Sequence, residues 1–268
     1  MIHEKIKLNV EGSAEYAVMY TYFQQPSNEL SIKKRPTVIV CPGGGYAMTS
    51  DREAEPIVIG MLNAGFNAML VRYSTAPARF PTALLELASA FKYVREEGVK
   101  YGCDPDKVFA IGFSAGSHLV GSYGNFWGRP FVAEAMQCDT ETLRPNGQIL
   151  SYPVITSGPF AHDGSFRNLL GDLYESEKEN HSLENSVNNN TPPTFLWHTQ
   201  TDNAVPVENS ILMVSALQEK KIKTEFHMFP EGVHGLSLCN ELTANSPDHL
   251  VPSAAKWFDL AVDFLKSL

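Results

Sequence analysis

Ser114 stands in a glycine-flanked pentapeptide, Gly112-Phe113-Ser114-Ala115-Gly116, with the spacing of a nucleophile elbow. An apolar run, Val108 to Ile111, precedes the pentapeptide, and a helical pattern begins at Ala115. In this context a sharp turn strains the serine, and the flanking glycines let neighbouring backbone approach closely. The pattern predicts that Ser114 is a nucleophile. A glycine-flanked turn with an idle serine is the alternative.

A serine hydroxyl is a poor nucleophile at neutral pH, so it requires an imidazole base and a carboxylate that orients the imidazole. Asp202 follows an apolar strand pattern, Thr194 to His198, and His234 lies in a glycine-containing loop after a second one, Thr224 to Met228. Serine, acid and histidine in this chain order are typical of serine-based hydrolytic sites on parallel sheets. The sequence therefore predicts Asp202 as the orienting acid and His234 as the base.

Seven other histidines compete with His234 for the base role. His198 and His227 lie within strand patterns, where packed or edge positions are expected. His118 follows Ser114 by one helical turn, so it either borders the pocket or is a structural histidine with satisfied hydrogen bonds. The others lie near the chain ends or in a polar segment: His3, His162, His181 and His249. None has a metal-ligand spacing such as HExxH, so no metal is expected.

Three consecutive glycines follow the apolar run Thr37 to Val40, in the segment Cys41-Pro42-Gly43-Gly44-Gly45-Tyr46. A tetrahedral intermediate needs backbone N–H donors for its oxyanion, and the loop at this strand end is where the first donor is expected. The sequence predicts that this segment supplies that donor and that the N–H of Ala115 supplies the second. A merely flexible turn is the alternative interpretation of the glycines.

The elements that must position these residues alternate between short apolar runs and helical patterns. Strand followed by helix, repeated, predicts an α/β fold with a mostly parallel central sheet and helices on both faces. Two adjacent strands, Lys5 to Val10 and Glu15 to Phe23, predict an antiparallel N-terminal hairpin with Glu11-Gly12-Ser13 as the turn. The apolar runs are Thr37 to Val40, Ala68 to Val71, Val108 to Ile111, Gln148 to Leu150, Thr194 to Trp197 and Thr224 to Phe229.

Residues 1–268 are expected to form one domain, because this length and a hydrophobic composition of 43% suffice for one large core. A polar stretch at about 156–190, rich in Asn and Glu, interrupts the alternation of strands and helices. We interpret it as an insertion over one end of the sheet. It is either a cap that covers the active site or an ordinary surface excursion with one or two short helices.

Charge and composition narrow the classes of partner. The formal net charge is −9, and Lys33-Lys34-Arg35 is the longest basic cluster, which disfavours nucleic acid. No apolar run approaches a membrane span, and the first residues lack the pattern of a signal peptide, so we expect a cytoplasmic protein. Cys41, Cys103, Cys138 and Cys239 have no paired spacing and are expected to be reduced thiols. The expected partner is a small molecule, and the sequence leaves a homodimer open.

With elbow, glycine loop, acid and histidine in order, residues 36–268 resemble the α/β-hydrolase superfamily. The similarity is to its esterase and lipase branch, which includes hormone-sensitive-lipase-like and acetylxylan-esterase-like enzymes. Pro42 occupies the position of the branch's common histidine before the glycines, and this form looks like the xylan-esterase type. Further similarity lies in Arg52-Glu53-Ala54-Glu55-Pro56.

The resemblance implies roles for individual residues and a class of substrate. It implies Ser114 as nucleophile, Asp202 as orienting acid and His234 as base. The N–H groups of Gly44 or Gly45 and of Ala115 would form the oxyanion hole, and Pro42 leaves open which loop glycine donates. Tyr46 and His118 are expected to contact the substrate, and no cofactor is expected. The substrate class implied is a short-chain ester, often an acetylated carbohydrate such as a xylo-oligosaccharide.

Three functions compete at this point. The first is a serine esterase that acts through an acyl-enzyme. The second is amide cleavage with the same triad, although the chain has no large extra domain that would select peptides. The third is a catalytically silent ligand-binding module, which the three intact triad positions disfavour. Covalent labelling by a fluorophosphonate separates the third function from the first two.

Overall fold

One eight-stranded sheet runs through the computed structural model, which describes residues 1–268. Its spatial order is β1-β2-β4-β3-β5-β6-β7-β8. The strands are β1 (Lys5–Lys7), β2 (Val18–Tyr22), β3 (Arg35–Cys41), β4 (Asn67–Arg72), β5 (Cys103–Phe113), β6 (Gly147–Ser151), β7 (Thr194–Thr199) and β8 (Thr224–Phe229). Each of the six apolar runs lies within one of these strands, so the sequence prediction of a mostly parallel sheet is confirmed.

The six strands from β3 to β8 are parallel, so their carboxyl ends meet at one edge of the sheet. At that edge Cys41 pairs with Gly112, so the glycine loop starts beside the elbow. Further along the same edge Ser151 pairs with Trp197, and Thr199 pairs with Phe229. The register therefore brings the loops after β3, β5, β7 and β8 side by side. Ligands of open parallel sheets bind at this edge.

The N-terminal hairpin forms as predicted but is shorter. Strand β1 pairs antiparallel with β2, with Lys5 opposite Tyr20, and β2 pairs antiparallel with β4. The segment between the strands spans residues 8–17 instead of three residues. The N–H of Leu8 still donates to the carbonyl oxygen of Ala17 at 3.0 Å, and in the connection beyond it Ser13 Oγ donates to the buried carboxylate of Glu86, 2.8 Å away. A side-chain partner distant in sequence therefore sets the turn.

Helices cover both faces of the sheet, and an apolar cluster lies on each face. On one face the indole of Trp257 stacks on that of Trp197 with ring centroids 5.0 Å apart, which fixes the last helix against β7. None of the helices combines the length and the apolar character that crossing a membrane takes. The helices are α1 (Glu55–Asn63), α2 (Thr82–Glu96), α3 (Ala115–Phe126), α4 (Pro130–Met136), α5 (Asp163–Leu170), α6 (Tyr174–Glu177), α7 (Glu208–Glu219), α8 (Pro252–Ala255) and α9 (Trp257–Lys266).

The polar stretch at 156–190 contains α5, α6 and three short 3₁₀ segments between β6 and β7. Among its large apolar side chains, Phe166, Leu169, Leu170 and Leu183 are buried in the core cluster, whereas Phe160 and Leu173 are exposed. Asn168 donates a hydrogen bond from Nδ2 to the carbonyl oxygen of Gly45, 2.8 Å away. The stretch is thus attached to the glycine loop at the carboxyl edge of the sheet.

The buried imidazole of His118 joins α3 to this stretch, which also contains the buried ring of His181. Nε2 of His118 lies 2.9 Å from the carbonyl oxygen of His181, to which it donates. Burial lowers the pKa of His118 to about 4. Burial likewise lowers the pKa of His181 to about 4. Both rings are therefore neutral in the folded protein at pH values where an unfolded chain protonates its histidines.

We expect the free energy of unfolding to fall as the pH drops from 6.5 toward about 4. In that window the unfolded chain binds protons that the two folded histidines do not, which costs on the order of 3 kcal/mol per histidine. Chemical denaturation at a series of pH values measures the slope. The variant His118→Gln loses one titrating group, so acidification should destabilise it less than the wild type. Equal losses in the two proteins would contradict the assignment.

Candidate active site

Ser114 occupies the turn between β5 and α3 with φ 51° and ψ −118°, a backbone conformation that non-glycine residues rarely adopt. The two flanking glycines make this turn sterically feasible. A Cβ atom at Gly116 would collide with the carbonyl oxygen of Cys41, and one at Gly112 with the backbone of Gly116. The serine N–H donates to the carbonyl oxygen of Ser151, 3.0 Å away. The elbow is therefore locked between β3 and β6, with the hydroxyl at the carboxyl edge.

The structure brings Ser114, His234 and Asp202 into one hydrogen-bonded row. His234 Nε2 lies 2.8 Å from Ser114 Oγ, and His234 Nδ1 lies 2.7 Å from Asp202 Oδ2. Because the carboxylate only accepts, Nδ1 carries the proton and Nε2 is free to accept the serine hydroxyl proton. The row is the arrangement that makes a serine hydroxyl nucleophilic.

Asp202 is held as a carboxylate by its surroundings. Its Oδ1 accepts hydrogen bonds from the N–H groups of Ala204 and Val205, each 2.9 Å away. Burial alone would raise the pKa of Asp202, but hydrogen bonds from His198 and His234 and the backbone of Val205 hold it well below its usual range. The acid therefore stays charged while His234 changes its protonation state.

His198 is the second imidazole on the same carboxylate, a contact that sequence reasoning missed. Its Nε2 lies 3.2 Å from Asp202 Oδ2 and 3.0 Å from the carbonyl oxygen of Val205, so Nε2 carries a proton. Its Nδ1 lies 2.8 Å from Ser210 Oγ, and the side chain is fully buried. His198 is thus a packed strand residue that supports the acid. In the sequence, this contact is indicated by the spacing of four residues between His198 and Asp202.

The glycine loop offers free N–H groups beside the serine. Gly43 N–H is occupied by the carboxylate of Glu53, 2.8 Å away, whereas the N–H groups of Gly44 and Gly45 have no acceptor within the protein. Gly44 has φ 131°, and a Cβ there would collide with the carbonyl of Met48. Ala115 opens α3, whose first N–H groups lack partners within the helix. The loop and the helix start can therefore supply donors to an oxyanion, assisted by the dipole of α3.

Tyr46 and His118 form a hydrogen-bonded pair in the protein interior. Both side chains are buried, and Tyr46 Oη lies 3.0 Å from His118 Nδ1. Since His118 Nε2 donates to His181, its Nδ1 accepts from the tyrosine hydroxyl. His118 thus has the satisfied hydrogen bonds of a structural histidine, one of the two interpretations that its sequence position allowed. Contact of Tyr46 and His118 with the substrate stays a prediction.

His162 and Ser165, from the polar stretch, face the glycine loop. A Cβ at Gly45 would lie 4.0 Å from His162 Cε1 and 3.8 Å from Ser165 Oγ. His162 Nδ1 lies 2.9 Å from Ser165 Oγ, and its Nε2 has no protein partner. Burial and then the charge on His234 lower the pKa of His162, which places this ring near the base. The side of the site formed by this stretch is therefore polar.

The arrangement can form and break a covalent bond at Ser114 Oγ. It offers a nucleophile, a base with a fixed tautomer, a charged acid and unpaired backbone donors, which together suit acyl transfer. The side chains contain no cluster of three or more His, Cys, Asp or Glu residues placed to hold a metal ion. The chemistry assigned to these residues uses only protein groups.

Two family models match the chain. The model BD-FAE matches residues 24–130, which include the glycine loop and Ser114. The model of the prolyl oligopeptidase family matches residues 85–259, which is more than half of the chain and contains Ser114, Asp202 and His234.

Three relatives extend the comparison. The crystal structure of an acetyl ester-xyloside bifunctional hydrolase from Caldicellulosiruptor lactoaceticus is 32% identical with a TM-score of 0.82, covering 98% of this chain and 96% of that one. Endo-1,4-beta-xylanase B of Butyrivibrio fibrisolvens is 40% identical over 213 residues, 78% of this chain and 33% of its own length. The acetylxylan esterase of Xylanibacter ruminicola is 27% identical over 239 residues, 87% of this chain and 46% of its own length. The chain thus spans a third to about half the length of these two curated relatives.

We expect a fluorophosphonate to phosphonylate Ser114, because the row activates that hydroxyl alone. His234→Ala should slow the labelling at least about 100-fold, the typical contribution of a general base. Intact-mass spectrometry over time, with peptide mapping, measures the rate and the position. The matched control is His227→Ala, which removes a histidine of β8 that pairs with Glu225 instead. Equal rates in the two histidine variants would remove His234 from the base role.

Proposed function

This chain belongs to the α/β-hydrolase superfamily, in its branch of esterases and acetylxylan esterases, and from that premise we propose that it hydrolyses short-chain carboxylic esters through an acyl-enzyme on Ser114. The observation that carries the proposal is His234, hydrogen-bonded to Ser114 at 2.8 Å and to Asp202 at 2.7 Å. An activated serine beside unpaired backbone donors is the arrangement that acyl transfer needs.

The first half of the reaction forms the acyl-enzyme. Ser114 Oγ attacks the ester carbonyl carbon while its proton passes to His234 Nε2, and the carbonyl oxygen becomes an oxyanion that accepts from the N–H of Ala115 and from Gly44 or Gly45. Asp202 stabilises the imidazolium that forms. The intermediate collapses by breaking the bond to the alcohol oxygen, which takes the proton from His234 and leaves.

The second half regenerates the enzyme. Water takes the place of the alcohol, gives one proton to His234 Nε2 and attacks the acyl carbon on Ser114. The second tetrahedral intermediate uses the same backbone donors. Its collapse breaks the bond to Ser114 Oγ, which recovers the proton from His234, and the carboxylic acid is released.

The composition of the polar stretch favours a short acyl group. Its side chains Phe166, Leu169 and Leu170 are packed into the core, and Phe160 and Leu173 are its only exposed large apolar residues, too few to line a long acyl groove. The side chains that it turns toward the glycine loop, His162 and Ser165, are polar. Unpaired N–H and hydroxyl groups suit a sugar alcohol better than a lipid tail. The xylan-related names of the relatives support an acetylated carbohydrate.

Amide hydrolysis is the second candidate, because the prolyl oligopeptidase family model matches residues 85–259. The same row of side chains would serve that reaction. A silent ligand-binding module is disfavoured, because the bond distances between Ser114, His234 and Asp202 are those of a working triad.

We expect acetyl and butyryl esters to be hydrolysed at least about tenfold faster than decanoyl and longer esters, in kcat/KM. A true acyl groove would add about 0.8 kcal/mol per buried methylene, so kcat/KM would rise with chain length. A tenfold preference in the opposite direction corresponds to about 1.4 kcal/mol at the transition state. A series of p-nitrophenyl esters of graded length measures this. An optimum at about eight carbons or more would favour a lipase.

We also expect the enzyme to release acetate from acetylated xylo-oligosaccharides. Cleavage of a matched anilide of acetic acid should be at least about 100-fold slower in kcat/KM, because the amine leaving group must be protonated before it departs. Ser114→Ala serves as the control for both substrates. An anilide cleaved within about tenfold of the ester would make the amidase function the better one.

A further inference from the structure

Glu53 is a buried carboxylate that the triad mechanism does not use. It ends a 3₁₀ segment, Asp51–Glu53, at the start of the Arg52-Glu53-Ala54-Glu55-Pro56 motif, and it is only 4% exposed. Its Oε2 accepts from Gly43 N–H at 2.8 Å, and its Oε1 accepts from the Tyr152 hydroxyl at 2.5 Å. Both partners are donors, so each oxygen of Glu53 accepts one hydrogen bond. The carboxyl group needs no proton of its own to form these two bonds.

Tyr152 connects Glu53 to the loop that contains His234. Its hydroxyl oxygen accepts from the N–H of Ser237 at 3.0 Å, three residues after His234. Its ring lies edge-on to the imidazole of His234, with ring centroids 5.1 Å apart and planes at 73°. The residue has φ 37°, so its backbone is held in an unfavourable conformation at the end of β6. A second link parallels the first, because Ser237 Oγ donates to the carbonyl oxygen of Arg52 at 2.7 Å.

We propose that Glu53 is a positioning residue for the ester hydrolysis proposed above, a clamp that holds the glycine loop and the histidine loop in one geometry through Gly43 and Tyr152. The Gly43 hydrogen bond fixes the peptide from which Gly44 and Gly45 project their N–H groups. The Tyr152 and Ser237 hydrogen bonds fix the loop and the ring contact that orient His234. The inference rests on the proposed function, because it assigns Glu53 a part in that reaction.

Electrostatics makes the geometric role testable. A Cβ at Gly43 would lie 2.8 Å from Glu53 Oε2 and 3.0 Å from Ser114 Cβ, so the carboxylate is a close neighbour of the nucleophile. A negative charge there opposes the oxyanion, and the burial of a charge is itself costly. Neutralising Glu53 would therefore speed the reaction if charge alone mattered. A slower reaction on neutralisation reports lost positioning.

The experiment compares Glu53→Gln and Tyr152→Phe with the wild type. The readouts are kcat and KM for p-nitrophenyl acetate, the second-order rate of Ser114 phosphonylation by a fluorophosphonate, and the free energy of unfolding. Glu53→Gln should lower kcat and the phosphonylation rate at least about tenfold while KM changes less than about threefold, because misplaced donors cost transition-state binding. Tyr152→Phe keeps the bond between Glu53 and Gly43, so both rates should fall by a smaller factor.

Glu86→Gln is the matched control, since Glu86 is also a buried carboxylate but accepts its hydrogen bonds from Ser13 and Ser74, outside the glycine loop and the loop of His234. It should destabilise the fold and leave kcat and the phosphonylation rate within about twofold of the wild type. The proposal is overturned if Glu53→Gln keeps both rates within about twofold, or if Glu86→Gln lowers them equally. Should Glu53→Gln fail to fold, unchanged rates in Tyr152→Phe overturn it. A wild type that is phosphonylated without turning over esters would refute the proposed function, while the phosphonylation rates would still decide the role of Glu53.

Discussion

The hydrogen bond between Asp202 and His234 is the interaction on which the rest of the site depends. It joins a buried carboxylate, whose pKa is held well below its usual range by hydrogen bonds from His198, His234 and Val205, to an imidazole whose other nitrogen must be free to accept a proton. Without that contact the imidazole has no preferred tautomer, and the serine hydroxyl has no base. The buried charge is tolerated because each oxygen of Asp202 has two donors.

The fold supplies the conditions for this contact. Parallel strands β5, β7 and β8 end at one edge, so Ser114, Asp202 and His234 meet although they are far apart in sequence. The strained turn at Ser114 is possible because Gly116 lets the backbone of Cys41 come close, and that same approach brings the glycine loop beside the nucleophile. The strained turn at Ser114, the close packing at Gly116 and the unpaired N–H groups of the glycine loop therefore depend on one another. The surrounding hydrogen bonds hold the unfavourable backbone conformation of Ser114.

The sequence predicts what depends on local pattern and on strand order. The elbow, the acid after β7 and the histidine after β8 carry signals in their own segments, and the parallel register then determines that they meet. Contacts between distant side chains have no such signal: Glu53 with Tyr152, His198 with Asp202, and the Ser13 contact that widens the first hairpin. Tyr46 and His118 are expected at the substrate because they are close in sequence to the glycine loop and the elbow. Their burial follows from a mutual hydrogen bond across 72 residues, which only the packed structure specifies.

The central claim is that the acyl group passes through Ser114. Rapid-quench mass spectrometry of the enzyme mixed with p-nitrophenyl acetate measures this directly, by following the mass of the peptide that contains Ser114 within the first turnover. The account predicts one added acetyl group on Ser114, formed as fast as the first equivalent of p-nitrophenol and lost at the steady-state rate of turnover. Steady hydrolysis with no acetyl group on Ser114, or with the acetyl group on another residue, would contradict it.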